Sequence, residues 1–327
     1  MTARRSQCTS EPGVPMQATS RTEWVERYLK GLTTQRQLSP LTVDAYRRDL
    51  LELIAATPDQ DWEQLAHHDI RRLASSMHAR GLTARSIARK LSCWRVFFSW
   101  LARETPLAAN PVDAIRAPKR PKSLPKALAV DQAVQLVAAP GHPHSAPEPA
   151  DLCNRAMFEL LYSSGLRVSE LTGLDVSYNQ QDGKSSLGWI DLDGGEVIVT
   201  GKGNKMRKVP VGSHARAALV DWLAVRPSPS DGSAALFVSS RGARISPRVI
   251  QQRLKAHAIK TGTPVHVHPH MLRHSFASHV LQSSGDLRAV QEMLGHASIA
   301  STQVYTALDF QHLAAVYDQA HPRAKVK

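Results

Sequence analysis

Histidine and arginine are concentrated in one short stretch, His266-Val-His-Pro-His270-Met-Leu-Arg273-His274. Pro269 suits the first turn of a helix, and residues three and four apart share a helix face, so His270, Arg273 and His274 are predicted to face one ligand. Upstream, Gly165-Leu-Arg167-Val-Ser-Glu170-Leu places an arginine just after a glycine-bearing turn, and Gly201-Lys202-Gly203-Asn204-Lys205 puts lysines in a hairpin loop. Downstream lie Gly295-His296 and then Tyr305. Zinc is a poor fit, because it wants three or four His, Cys or carboxylate ligands, whereas Arg273 would set a cation between His270 and His274 and no cysteine is near. Phosphoryl transfer without a metal fits better. Two guanidinium groups, Arg167 and Arg273, suit the two non-bridging oxygens of a phosphodiester and the charge that develops on them. A tyrosine hydroxyl attacks such a phosphorus and keeps the bond energy in a phosphotyrosine, which makes Tyr305 the candidate nucleophile. Lys202 is placed to protonate the leaving oxygen, with His270 as the base that assists the tyrosine. No metal and no other cofactor is expected.

These residues need a scaffold, and the chain supplies two. Residues 1–20 are rich in Ser, Thr and Pro and read as a disordered extension, with Met16 as a second possible start. Residues 21–105 read as a domain of four helices: Trp24, Tyr28 and Leu32 recur at helical spacing, Val43, Tyr46, Leu50 and Leu53 mark a second face, and Gly81-Leu-Thr83 parts the third helix from the fourth. Residues 106–126 interleave prolines with Arg116, Lys119, Arg120, Lys122 and Lys126, a basic extended linker suited to a phosphate backbone. Residues 127–323 open with helices, then alternate apolar and polar residues over 189–192, 196–200 and 206–211 with glycine-rich turns between, and return to helix. The expected fold class is mainly α: a four-helix N-terminal domain, then a mostly helical α/β domain with a small three-stranded antiparallel sheet. No internal repeat is present.

The chain of 327 residues has 41 Lys and Arg against 28 Asp and Glu, a formal charge of +13. Most of that excess lies before residue 127, and 71–103 contains no acidic residue at all. Such a chain favours a polyanion as partner, with Arg47, Arg85, Arg89, Lys90, Lys119 and Lys122 as candidate contacts to DNA. No apolar stretch approaches membrane-span length, no signal peptide is evident, and three scattered cysteines, Cys8, Cys93 and Cys153, suggest no disulfide framework. A reducing cytoplasm, with association to the nucleoid, is expected; a membrane or a small-molecule substrate is not.

In this order and spacing, Gly165-Leu-Arg167-Val-Ser-Glu-Leu, Gly201-Lys202-Gly203-Asn-Lys, His270-Met-Leu-Arg273-His274, Leu294-Gly295-His296 and Tyr305 resemble the tyrosine recombinases of the phage integrase family. Leu38-Ser-Pro-Leu-Thr-Val-Asp-Ala-Tyr-Arg-Arg-Asp-Leu50 is similar to the start of that family's core-binding domain. The resemblance implies that Arg167 and Arg273 bind the scissile phosphate, Lys202 protonates the leaving oxygen, His270 helps activate Tyr305, and His296 contacts the phosphate or orients the transition state. It further implies a 3′-phosphotyrosyl link, a C-clamp around double-stranded DNA at a dif-like site, strand exchange in a tetramer with a XerD-like partner that resolves chromosome dimers at cell division, and activation by the translocase FtsK. The loops 140–149 and 178–188 look longer than the family pattern, and the last helix, around 311–317, suits either its own domain or a neighbouring subunit. A non-catalytic architectural DNA-binding protein, a metal-dependent nuclease, a monomeric topoisomerase, and a phage or transposon integrase of the same family are the alternatives.

Overall fold

The fold follows from where apolar residues recur and where caps interrupt them. The computed structural model describes residues 20–36, 38–118, 127–139, 147–181, 184–201, 205–263, 267–295 and 307–324, and the chain divides into two units, Met1–Ser123 and Leu124–Lys327.

Four helices build the first unit: α1 (Arg21–Thr34), α2 (Pro40–Ala56), α3 (His67–Ala79) and α4 (Ala84–Glu104). Ser20, Ser39 and Thr83 each accept a backbone N–H in the first turn of α1, α2 and α4, and Pro40 sits where a helix loses nothing by lacking its N–H. Ile87, Leu91, Trp94, Phe97, Phe98 and Leu101 form the buried stripe of α4. Edge-to-face rings knit that stripe to its neighbours: Trp62 meets Phe97 and Phe98 at 5.0 and 5.6 Å, and Tyr28 meets Phe97 at 5.3 Å. Trp94 Nε1 donates to the Asp49 carbonyl at 2.9 Å. Val112 and Ile115, within the stretch read as linker, are buried in this core, and Arg95 donates to both of their carbonyls.

The second unit runs α5 (Val130–Ala138), α6 (Pro149–Ser163) and α7 (Val168–Thr172), then β1 (Leu174–Asp175), β2 (Gln180–Gln181), β3 (Lys184–Ser185), β4 (Gly188–Asp191), β5 (Glu196–Thr200) and β6 (Met206–Pro210). It finishes with α8 (Ser213–Val225), α9 (Pro247–Lys260), α10 (Pro269–Ser284), α11 (Leu287–Leu294) and α12 (Ala307–Ala320). Strands β4, β5 and β6 are the antiparallel meander that the alternation predicts, and β1 joins β4 in parallel to make the order β1-β4-β5-β6. The added strand is two residues long, too short to leave an alternating pattern. Within the loop 178–188, β2 and β3 pair as a separate antiparallel hairpin.

Helix α6 is apolar on nearly every side, from Ala156 through Tyr162, and is the central core helix of this unit. Within it Glu159 is fully buried and held by Arg323, which follows α12. Tyr317 on α12 bonds Ser163 at 2.8 Å, and Ser213 N–H donates to the Ala324 carbonyl. Leu313, Tyr317 and Ala320 are thus part of the core of their own unit. Among the described residues no helix is long and apolar enough to cross a membrane.

Candidate active site

The turn between α6 and α7 demands glycine twice over. Gly165 has φ +56°, and a Cβ there would lie 2.4 Å from the Phe276 ring. The tight turn brings Arg167 to the N-cap of α7, where its backbone N–H donates to Glu170 Oε2 and its Nη1 to Glu170 Oε1, both at 2.8 Å. The Arg167 side chain keeps 39% of its surface exposed, and its Nη2 reaches the Gly295 carbonyl at 3.4 Å.

Helix α10 starts at Pro269, with His268 Nδ1 accepting from the Met271 N–H at 3.2 Å, and it carries Arg273 into the interior. Arg273 Nη1 donates to the Gly165 carbonyl and Nη2 to the Leu294 carbonyl, each at 2.6 Å, and Glu170 stands 3.9 Å away. Burial, then the neighbouring Arg167 charge, lower the Arg273 guanidinium to about 10, with Glu170 opposing, so it stays cationic at neutral pH. Arg167 and Arg273 therefore end on successive carbonyls, Gly295 and Leu294, at the C-terminus of α11, where the helix dipole favours cations. The sequence paired these arginines, and the structure brings them together. His270 is exposed on the first turn of α10, its ring stacked 6.4 Å from that of His268, while His274 is half-buried. Three residues apart on α10, His270 is exposed while Arg273 is buried, because the carbonyls that satisfy the Arg273 fork lie inside. Among the described residues no group of three or more His, Cys, Asp or Glu is arranged to hold a metal ion.

Lys202, His296 and Tyr305 lie outside the described residues, as do Lys119 and Lys122. Gly201 N–H donates to the Lys205 carbonyl at 2.8 Å, which closes the base of the β5–β6 loop that carries Lys202. Gly295, at φ +63°, ends α11 one residue before His296, and α12 begins two residues after Tyr305.

Two residues of this centre are absent from the residue-type reading. Glu170 bridges both arginines, and Arg207 on β6 clasps it with Nη1 to Oε1 at 2.9 Å and Nη2 to Oε2 at 2.8 Å. Burial would raise the Glu170 carboxyl, but the Arg207 hydrogen bonds and charge, with Arg167, hold it at about 2 against an ordinary 4.5. A depressed carboxyl stabilises the fold above its unfolded value and loses that contribution as pH falls through the folded one, so the acid-sensitive window lies between pH 4.5 and about 2. Across it the parent chain should lose about 3 kcal/mol more than Glu170→Gln. Urea unfolding at stepped pH checks this; coincident acid slopes for the two proteins refute it.

In the first unit the basic residues divide into two kinds. Arg85 is exposed, Arg89 is half-exposed beside Asp49, and Arg47 pairs with Glu26. Lys90 corrects the sequence reading: it is 7% exposed, with its ammonium between Glu52 and Asp49, 3.5 Å from the latter. It lies three residues after Ile87 and four before Trp94, on the inward stripe of α4, so it anchors α4 to α2 and presents no charge to a duplex.

The sequence pattern of the phage integrase family fits residues 126–312, and that of the phage integrase N-terminal SAM-like domain fits residues 25–105. The chain is 55% identical over 313 residues to tyrosine recombinase XerC 1 of Ralstonia nicotianae, covering 92% of this chain and 93% of that protein. It is 46% identical over 308 residues to tyrosine recombinase XerC of Pseudomonas aeruginosa, covering 93% and 96%. Its fold is similar to a lambda integrase dimer bound to a COC′ core site, with TM-score 0.64 at 19% identity over 86% of this chain and 98% of that one. It is also similar to XerH recombinase bound to difH substrate, with TM-score 0.61 at 18% identity over 93% and 83%. Matched by the family's patterns over most of its length and about half identical to these relatives nearly end to end, the chain belongs to the phage integrase family, as a XerC-like site-specific tyrosine recombinase.

Proposed function

We propose that this recombinase cuts and rejoins duplex DNA through a 3′-phosphotyrosyl intermediate on Tyr305. The observation that carries the mechanism is the meeting of Arg167 and Arg273 at the end of α11 around Glu170. Two fixed cations match the two non-bridging oxygens of a phosphate that gains charge as a fifth ligand approaches. The Tyr305 oxygen forms the new bond to phosphorus, the bond to the 5′-oxygen breaks, His270 takes the tyrosine proton and Lys202 delivers one to the leaving oxygen. His296 contacts the phosphate or orients the transition state. One phosphodiester is exchanged for another, so resealing is the reverse of cutting and needs no ATP.

Residues 21–105 act as the DNA-binding domain, 106–126 as a basic linker and 127–323 as the catalytic domain, together gripping the duplex as a C-clamp. Working with a XerD-like partner at a dif-like site, and activated by FtsK, the protein resolves chromosome or plasmid dimers at cell division, in the cytoplasm at the nucleoid. The names of relatives 46% to 55% identical, each a tyrosine recombinase XerC, support the XerC-like part of this reading. The test is covalent trapping on a nicked duplex carrying the chromosomal recombination site, in EDTA, with the partner supplied. A gel-stable adduct supports the mechanism; tight binding without an adduct overturns it in favour of an architectural role.

Arg85 and Arg89, one turn apart on the outer face of α4, are proposed phosphate contacts. Replacing both with alanine should weaken DNA binding and reduce the salt slope of log K by about 2, whereas Lys90→Met should leave the slope unchanged. Titrations at several salt concentrations measure this; an unchanged slope in the double variant removes that face from the interface.

A further inference from the structure

Arg207 is nearly buried, and each of its three guanidinium nitrogens donates a hydrogen bond within the protein. It is 4% exposed, clasps both oxygens of Glu170, and donates from Nε to the Met293 carbonyl at 2.9 Å. Its side chain fills the space beside Gly295, where an added Cβ would come within 3.1 Å of Cδ. On the sheet it pairs with Val199 of β5, at the base of the hairpin that carries Lys202. One side chain thus joins three pieces of chain: the strand below Lys202, the turn of Arg167 and Glu170, and the end of α11, whose carbonyls receive Arg167 and Arg273. An exposed arginine would be a candidate for DNA itself, but this one has its fork occupied and faces inward.

We propose that Arg207 is a positioning residue for the recombination chemistry: it sets the Arg167–Arg273 clamp against strands β5 and β6 without touching DNA. The role rests on the phosphate-clamp mechanism above. A neutral side chain at 207 leaves Glu170, among the described residues, with Arg167 as its one hydrogen-bond donor and frees the Met293 carbonyl, so the two guanidinium groups lose their common brace. Removing the outer supports of metal ligands typically costs about 10- to 100-fold in activity, and a brace shared by two guanidinium groups is expected to matter to the same order.

The test compares single-turnover adduct formation by the parent, Arg207→Met and Arg207→Lys on two nicked duplexes, one with a normal scissile phosphate and one with a methylphosphonate there. The methylphosphonate replaces one charged oxygen by a methyl group and so asks less of the clamp. Arg207→Met should bind DNA within about twofold of the parent and cleave the phosphate about 10- to 100-fold more slowly, with a distinctly smaller deficit on the methylphosphonate. Arg207→Lys should follow the same pattern, since one ammonium cannot replace a planar fork plus Nε. It decides the matter if thermal melting shows Arg207→Met unfolded. An equal deficit on both substrates would mean a structural role only and overturns the proposal, as does parental cleavage by either variant. No adduct from the parent overturns the phosphotyrosine mechanism itself, a failure distinct from an active parent with an indifferent Arg207.

Discussion

Tyr305→Phe is expected to bind the recombination site with the affinity of the parent chain and to form no covalent adduct on it. The substitution keeps the ring and removes only the oxygen that makes the new bond to phosphorus, so the contacts of Arg167 and Arg273 to the phosphate are untouched while the reaction loses its nucleophile. In a hydrolase that works through a covalent intermediate, loss of the nucleophile costs on the order of 10⁶ in rate, which places the adduct below detection by denaturing gel. Mobility shift at matched salt reads the binding. Any covalent product from Tyr305→Phe would reassign the nucleophile, and a large loss of affinity would mean that the hydroxyl serves binding as well as chemistry.

Arg273→Ala is expected to slow cleavage roughly 10²- to 10³-fold at saturating protein, as removal of a preorganised charge at a developing oxyanion does. Two losses combine at this site. The phosphate loses one of its paired cations, and the Gly165 and Leu294 carbonyls lose the group that ties the turn after α6 to the end of α11. Arg273→Lys keeps a positive charge but cannot serve both carbonyls with a planar fork, so little rate should return. Single-turnover cleavage measures the chemical step, and thermal melting confirms that the variants are folded. A folded Arg273→Ala protein that cleaves at the parental rate would exclude Arg273 from the clamp.

The residues that do the proposed chemistry are legible in the sequence because their types are rare in such company: an arginine after Gly165, another amid histidines, a lysine between glycines, a tyrosine downstream. The helices are legible from their caps and stripes, and the meander from alternation punctuated by glycine. What escapes is charge that points inward. Arg207 shares a strand face with Val209, two residues on, and both are buried. A charged residue in an amphipathic strand reads as solvent-facing unless its phase is taken from its apolar neighbours. Lys90 fails for the same reason on a helix, where Ile87, Leu91 and Trp94 fix its phase inward. Glu159 on α6 is a third case, since its partner Arg323 is far along the chain and no local pattern links them. Each of these charges is intelligible only once a distant partner has been brought beside it.

The burial of Glu159 by Arg323 has a consequence for the order in which the protein is made. Helix α6 is the middle of the second unit, yet α12 and Arg323, which complete its cover, are translated after every other element of that unit. At about 5–20 residues per second the four helices of the first unit have many seconds to fold before those last residues emerge. The second unit has no such interval: until Arg323 arrives, a carboxylate and one side of its central helix lack their partners. A nascent chain stalled short of that point therefore holds a finished first unit and a second unit whose central helix still lacks its last cover.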